Sequence, residues 1–192
     1  LAHALESAVT RRRNPASALF SQQALALLMT NLPQVLEQPD NLTARAAVQL
    51  GAAYGGLAIE NSMLGAAHAA ANPLTAHFGV VHGHAVGLML PQVIRYNAQD
   101  QTVAAIYGHL VNQGNGRLTH PAQEPTSALA QLVLTLLRRA GLPTTLRELG
   151  IPSERIPDLA QEAAQQWTAG FNPRPVNAED FAALYQQAWA GT

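Results

Sequence analysis

ENSMLGAAHAAANPLTAHFGVVHGHAVGLMLPQVIRYN, running from Glu60 to Asn97, is the stretch on which the reading of the fold turns, and it holds four of the seven histidines. Walking back from His68, the positions Leu64, Asn61, Leu57, Tyr54 and Leu50 recur at alternating steps of four and three, the spacing of one helix face. A long helix is therefore expected to end at His68 with its imidazole on the core side. Asn72-Pro73 and Gly79 predict a break over residues 72–81, and His82-Gly83 opens the next helix. Such a reversal brings the two imidazoles within reach of each other. Neutral imidazole is a good ligand for iron, zinc, copper or nickel. On spacing alone, however, a histidine on an apolar helix face is more often a core residue bonded to a carbonyl.

Outward from this stretch, composition sets the class. The chain has 192 residues, enough for one sizeable core, and one domain spanning 1–192 is expected. Hydrophobic residues make up 48% and charged residues 12%, with alanine and leucine dominant, which favours tightly packed helices. Runs rich in valine, isoleucine and threonine are scarce, so an all-α, multi-helix bundle of roughly seven to nine helices is predicted. Eleven basic against 12 acidic residues give a formal charge of −1, with no basic face for nucleic acid. The absence of cysteine excludes disulfides and thiolate metal sites and fits a reducing compartment, so a cytoplasmic location is expected. No stretch is long and apolar enough for a membrane span. The chain opens on Leu1 already inside a helical pattern, which suggests a fragment.

Along the chain, residues 1–13 read as the end of a helix, with Arg11, Arg12 and Arg13 complementing its last turn. Ala16 to Asn31 is a second helix, and Pro33 to Asn41 a connection. A third helix runs from about Thr43 to Ala70 and is expected to be central, its small residues Gly51, Ala52, Ala53, Gly55 and Gly56 permitting close approach. His84 to Arg95 is apolar nearly all round, with Pro91 as a kink. A short helix spans Asp100 to Val111, and a polar loop Asn112 to Pro125. Ser127 to Ala140 carries Leu129, Leu132, Val133, Leu136 and Leu137 on one face and stops at Gly141. Ser153 to Thr168 and Ala178 to Ala190 are the last two helices. His77, His109 and His120 have no partner at ligand spacing and are taken as non-ligating.

The motif Gly65-Ala66-Ala67-His68-Ala69, then Pro73, His82-Gly83, Leu90-Pro91 and Tyr96-Asn97, resembles the metal-binding signature of the iron-containing (group III) alcohol dehydrogenases. His68 and His82 stand 14 positions apart (from 68 to 82), as that family's two ligands do. The order Gly141-Leu142-Pro143-Thr144, Gly150-Ile151-Pro152, Asn172-Pro173-Arg174-Pro175 and a final helix ending in Ala188-Trp189 extends the resemblance over nearly the whole chain. At the start, His3-Ala4-Leu5-Glu6 resembles the family's second metal segment, in which an aspartate precedes the histidine by four residues. That aspartate has no counterpart in these 192 residues.

The resemblance implies a helical, metal-binding C-terminal domain in which His3, His68 and His82 ligate a divalent ion, iron or zinc. It also implies an N-terminal α/β domain that holds NAD(P), and a small-molecule alcohol or aldehyde as substrate. Many relatives carry a further histidine where this chain has Asn72, which can hydrogen-bond but cannot relay a proton near neutral pH; His77 and His84 are the nearest substitutes. No glycine-rich phosphate turn after a strand is present, so the chain alone is expected to be inactive. Self-association is compatible with this reading. The alternatives are a glycerol dehydrogenase-like or maleylacetate reductase-like member of the same superfamily, or a non-catalytic helical interaction module.

Overall fold

The computed structural model describes residues 1–113 and 124–191, and the described residues are helices joined by short turns. In order they are α1 (Ala2–Ser7), α2 (Pro15–Glu37), α3 (Leu42–Glu60), α4 (Ala66–Phe78), α5 (His82–Asn97), α6 (Gln101–Gln113), α7 (Pro125–Arg139), α8 (Ile156–Gln165) and α9 (Ala178–Ala190). Two 3-10 turns, Ser153–Arg155 and Trp167–Phe171, flank α8. The all-α bundle is thus as expected, and α9 has the boundaries that the sequence predicts. Most of the expected loop from Asn112 to Pro125, and His120 with it, lies outside the described residues. Among the described residues no helix is long and apolar enough to cross a membrane.

The centre of the bundle is the α4–α5 hairpin. Ala66, Ala67, Ala69, Ala70, Ala71 and Leu74 of α4 and Ala85, Leu88, Met89 and Ile94 of α5 are buried almost completely. Helices α7 and α9 pack against α5, and α8 packs against α4. Alanine buries a helix face with no loss of side-chain entropy and lets backbones approach, which suits an element surrounded by others.

The continuous helix expected from Thr43 to Ala70 is instead two helices, and α3 is peripheral rather than central. The short polar residues at its end take its carbonyls for themselves: Asn61 Nδ2 donates to Leu57 O at 2.8 Å and Ser62 Oγ to Ala58 O at 2.6 Å. Such side chains offer the backbone an alternative to continuing the helix. His68 therefore lies in the first turn of α4, and the face shared with Leu50 and Leu57 does not exist; those two leucines are exposed.

Both prolines expected to break helices lie inside them, Pro33 in α2 and Pro73 in α4. Proline removes one helical hydrogen bond and crowds the carbonyl four residues back. In α4 tertiary bonds support the same stretch from outside, for Tyr185 Oη donates to Ala70 O at 2.6 Å. In α2 side chains take carbonyls on either side of the distortion, Asn31 Nδ2 reaching Leu27 O at 2.8 Å and Gln34 Nε2 reaching Thr30 O at 3.0 Å. The turn between α4 and α5 falls instead at Gly79, whose φ of 64° is the left-handed conformation that glycine adopts without strain.

Arg11–Arg13 also depart from expectation, because α1 ends at Ser7 and leaves the arginines in the turn beyond it. The backbone there is drawn to the Trp167–Phe171 turn, with Arg11 N donating to Phe171 O at 2.9 Å and the Arg12 guanidinium 5.6 Å from the Phe171 ring centre. The expected helix from Ser153 to Thr168 is shorter, since its two ends are 3-10 turns.

Helices α2 and α3 form a close antiparallel pair at Gly51, where an added Cβ would lie 2.9 Å from Leu28 Cγ and 3.1 Å from Leu27 Cβ. Gly51→Ala gains about 1 kcal/mol of helix propensity but forces the pair apart, at about 1–3 kcal/mol for overpacking. Net destabilisation is expected, read as a lower urea midpoint with an unchanged slope; a midpoint at or above wild type would contradict the tight contact.

Candidate metal centre

Three imidazoles meet where α1, α4 and α5 begin. His3 is the second residue of α1, His68 the third of α4 and His82 the first of α5. The His3 and His68 rings are stacked with centroids 5.1 Å apart, and the His68 and His82 centroids are 5.4 Å apart at an interplanar angle of 53°. Imidazoles that share one ion at about 2.0–2.1 Å, arranged tetrahedrally, have centroids roughly 5 Å apart. The spacing fits a shared ion. Among the described residues, however, no group of three or more His, Cys, Asp or Glu side chains is placed so that it could hold a metal ion as it stands. The rings are neighbours, and their nitrogens would have to turn toward a common point to share an ion. The aspartate implied by the resemblance has no counterpart in these residues, so the candidate ligands are nitrogen donors only.

Electrostatics favours ligation over protonation. Burial, with His68 close by, lowers the His3 pKa to about 4, and burial with the same neighbour lowers that of His82. Both are neutral at neutral pH, the form that offers a lone pair to a metal.

His68 is held from behind by Glu6, which is 4% exposed. Its Oε2 is hydrogen-bonded to His68 Nδ1, while its Oε1 accepts the Ala67 N–H at 2.8 Å. The neighbouring Ala66 N–H donates to Asn172 Oδ1 at 3.3 Å. Helix α4 has no capping side chain of its own at Gly65, so Glu6 and Asn172, distant in sequence, satisfy its first amides. Asn172 is itself locked to Asn97 by reciprocal amide bonds of 3.0 and 2.7 Å. Gly65 suits this approach, since an added Cβ would lie 3.0 Å from Asn172 Oδ1 and 3.2 Å from Glu6 Oε1, tighter than most Cβ contacts.

On the other side the imidazoles open into a cleft of ≈ 370 Å³ whose remaining wall is apolar, built from Leu32 and Leu36 of α2, Val86 and Leu90 of α5, and Val133, Leu136 and Leu137 of α7. Asn72, one turn beyond His68, donates from Nδ2 to Gln166 Oε1 at 2.9 Å. The two substitute proton carriers are engaged elsewhere: His77 Nε2 pairs with Glu162 at 2.8 Å, and His84 Nε2 donates to Pro143 O at 2.8 Å. Sequence reasoning noticed Glu6 and Asn172 only as letters in motifs. Their function depends on contacts to α4 across 61 and 106 residues, which no local pattern announces.

Comparison with known proteins gives the family. A sequence model of the C-terminal part of the Fe-containing alcohol dehydrogenase family matches residues 1–189. The chain is 32% identical over 192 residues to the 1,3-propanediol dehydrogenase of Klebsiella pneumoniae, covering 98% of this chain and 49% of that protein. It is 31% identical over 194 residues to the lactaldehyde reductase of Escherichia coli strain K12, with the same coverage of 98% and 49%. The crystal structure of a 1,3-propanediol oxidoreductase superposes with a TM-score of 0.90 at 28% identity, over 98% of this chain and 49% of that one. The chain spans about half the length of the curated relatives it matches. It belongs to the Fe-containing alcohol dehydrogenase family, of which it represents the C-terminal part.

Proposed function

We propose that the chain is the helical, metal-holding half of a NAD(P)-linked dehydrogenase that interconverts alcohols and aldehydes or ketones. The observation that carries this reading is the meeting of His3, His68 and His82 at one end of a cleft, with His68 fixed by a buried carboxylate. The nucleotide-binding half lies upstream in the same protein, and the absence of cysteine agrees with a cytoplasmic enzyme.

His3, His68 and His82 would hold the divalent ion, and nitrogen donors suit iron and zinc alike. When bound, such an ion supplies Lewis acidity toward an alcohol or carbonyl oxygen, and the nicotinamide supplies the hydride chemistry. The chain's own residues do the rest. Neutral His3 and His82 add no positive charge beside a dication. Glu6 and the first turn of α4 fix the ring of His68. The leucine and valine wall gives the cleft an apolar lining, beside which electrostatic interactions are stronger than in water. Asn72 orients through its bond to Gln166 but cannot carry a proton.

The test is metal removal. In the full-length protein, NAD(P)-dependent oxidation of short-chain alcohols should disappear on chelation and return with Fe²⁺ or Zn²⁺. Undiminished turnover by rigorously metal-free protein would contradict the reading.

A further inference from the structure

We propose that Glu6 is the residue that sets the tautomer of His68, and thereby prepares the histidine cluster for a metal ion; the inference rests on the metal-centre reading above. The carboxylate has no freedom to do otherwise. One oxygen accepts the Ala67 N–H at 2.8 Å and the other is bonded to His68 Nδ1, with the group 4% exposed. Gly65 closes over it, since even a Cβ there would sit 3.2 Å from Oε1.

An acceptor facing Nδ1 requires the ring proton to be on Nδ1. Nε2 then keeps its lone pair, free for an ion shared with His3 and His82. Metal-ligating histidines generally rely on such a partner, and losing it typically costs 10–100-fold in metal affinity. Glu6 is thus a positioning residue, acting on the ion through His68. The competing account is that Glu6 merely caps α4, and the two accounts predict different spectra.

Glu6→Gln preserves size and cannot satisfy both contacts. With its oxygen on the Ala67 N–H, its amide N–H₂ faces Nδ1 and demands the Nε2–H tautomer, which blocks ligation. Turned the other way, it sets donor against donor at Ala67. In the metal-free full-length protein labelled with nitrogen-15 at histidine, wild-type His68 should show the Nδ1–H tautomer and Glu6→Gln the Nε2–H tautomer. Zn²⁺ affinity, measured by competition with a chromophoric chelator, should fall by ~10–100-fold. Tyr185→Phe serves as a structural control. It removes the hydroxyl that donates to Ala70 O in the same helix, so it should lower the melting temperature while leaving tautomer and affinity unchanged.

An Nε2–H proton on wild-type His68 would overturn the proposal without recourse to any variant. So would wild-type affinity in Glu6→Gln, or an equal loss of affinity in Tyr185→Phe. If His68→Ala loses the ion while Glu6→Gln keeps it, this inference alone fails; if His68→Ala also retains wild-type affinity, the metal-centre reading fails and takes the inference with it.

Discussion

Replacing His68 with alanine should strip the full-length protein of its metal and of its dehydrogenase activity together. His68 stands between the other two imidazoles, with ring centroids 5.1 Å from His3 and 5.4 Å from His82, so its loss separates the remaining pair. Loss of an outer partner typically costs 10–100-fold in affinity, and loss of a ligand itself should exceed ~100-fold. The same change leaves the Glu6 carboxylate buried with one oxygen unpaired, and leaving a buried acceptor without its partner costs about 1–3 kcal/mol. His68→Gln separates the two effects, because its amide can still donate to Glu6 while presenting no second ring nitrogen. Alanine is therefore expected to lose both metal and stability, and glutamine to lose metal while keeping most of the stability. Metal content after dialysis, set beside thermal unfolding, reads both. Full metal occupancy in either variant would remove His68 from the site.

The second large effect concerns the chain by itself. Loaded with Fe²⁺ or Zn²⁺, these 192 residues should show no turnover measurable beside the full-length protein. Hydride transfer requires the nicotinamide within roughly 3–3.5 Å of the substrate carbon, and positioning of this kind contributes ~7–11 kcal/mol, a factor of about 10⁵–10⁸ in rate. Among the described residues there is no strand, hence no strand-turn-helix to cradle a dinucleotide. The helical half supplies one wall of the cleft, apolar along α2, α5 and α7, and the partner wall must bring the cofactor. Comparable rates from chain and full-length protein, followed by nicotinamide absorbance with the same alcohols, would place the cofactor site within these residues and contradict the division of labour.

What the sequence made legible follows from how local each signal is. Helix α7 declares itself through Leu129, Leu132, Val133 and Leu137, all buried, because an amphipathic stripe needs nothing beyond its own residues to be read. Helix α9 has a capping box at Asn177 and Asp180, and its predicted boundaries coincide with those observed. The α3–α4 boundary fails for the opposite reason. Its residues are small and helix-compatible throughout, and what divides them is the capture of carbonyls by Asn61 and Ser62 together with the capping of α4 by Glu6 and Asn172. Pro33 and Pro73 mislead likewise, since side-chain bonds to nearby carbonyls, from Asn31 and Gln34 within α2 and from Tyr185 onto α4, let a helix pass through a residue that propensity would forbid.

The candidate site divides along the same line. His3, His68 and His82 are singled out by a family signature, whereas the spacing argument that sets His68 on a face with Leu50 and Leu57 is wrong. The support behind His68 was not legible at all. Glu6 meets α4 across 61 residues and Asn172 across 106, and contacts of that separation exist only once the bundle has closed.

The central claim is that one divalent ion is shared by the three imidazoles. Anomalous diffraction from crystals of the full-length protein grown with Fe²⁺ or Zn²⁺ tests it directly. The account predicts a single strong peak bonded to one ring nitrogen each of His3, His68 and His82 at about 2.0–2.1 Å, with Nε2 as the donor from His68. A peak bound elsewhere, or an active crystal form in which the three imidazoles share no ion, would contradict it.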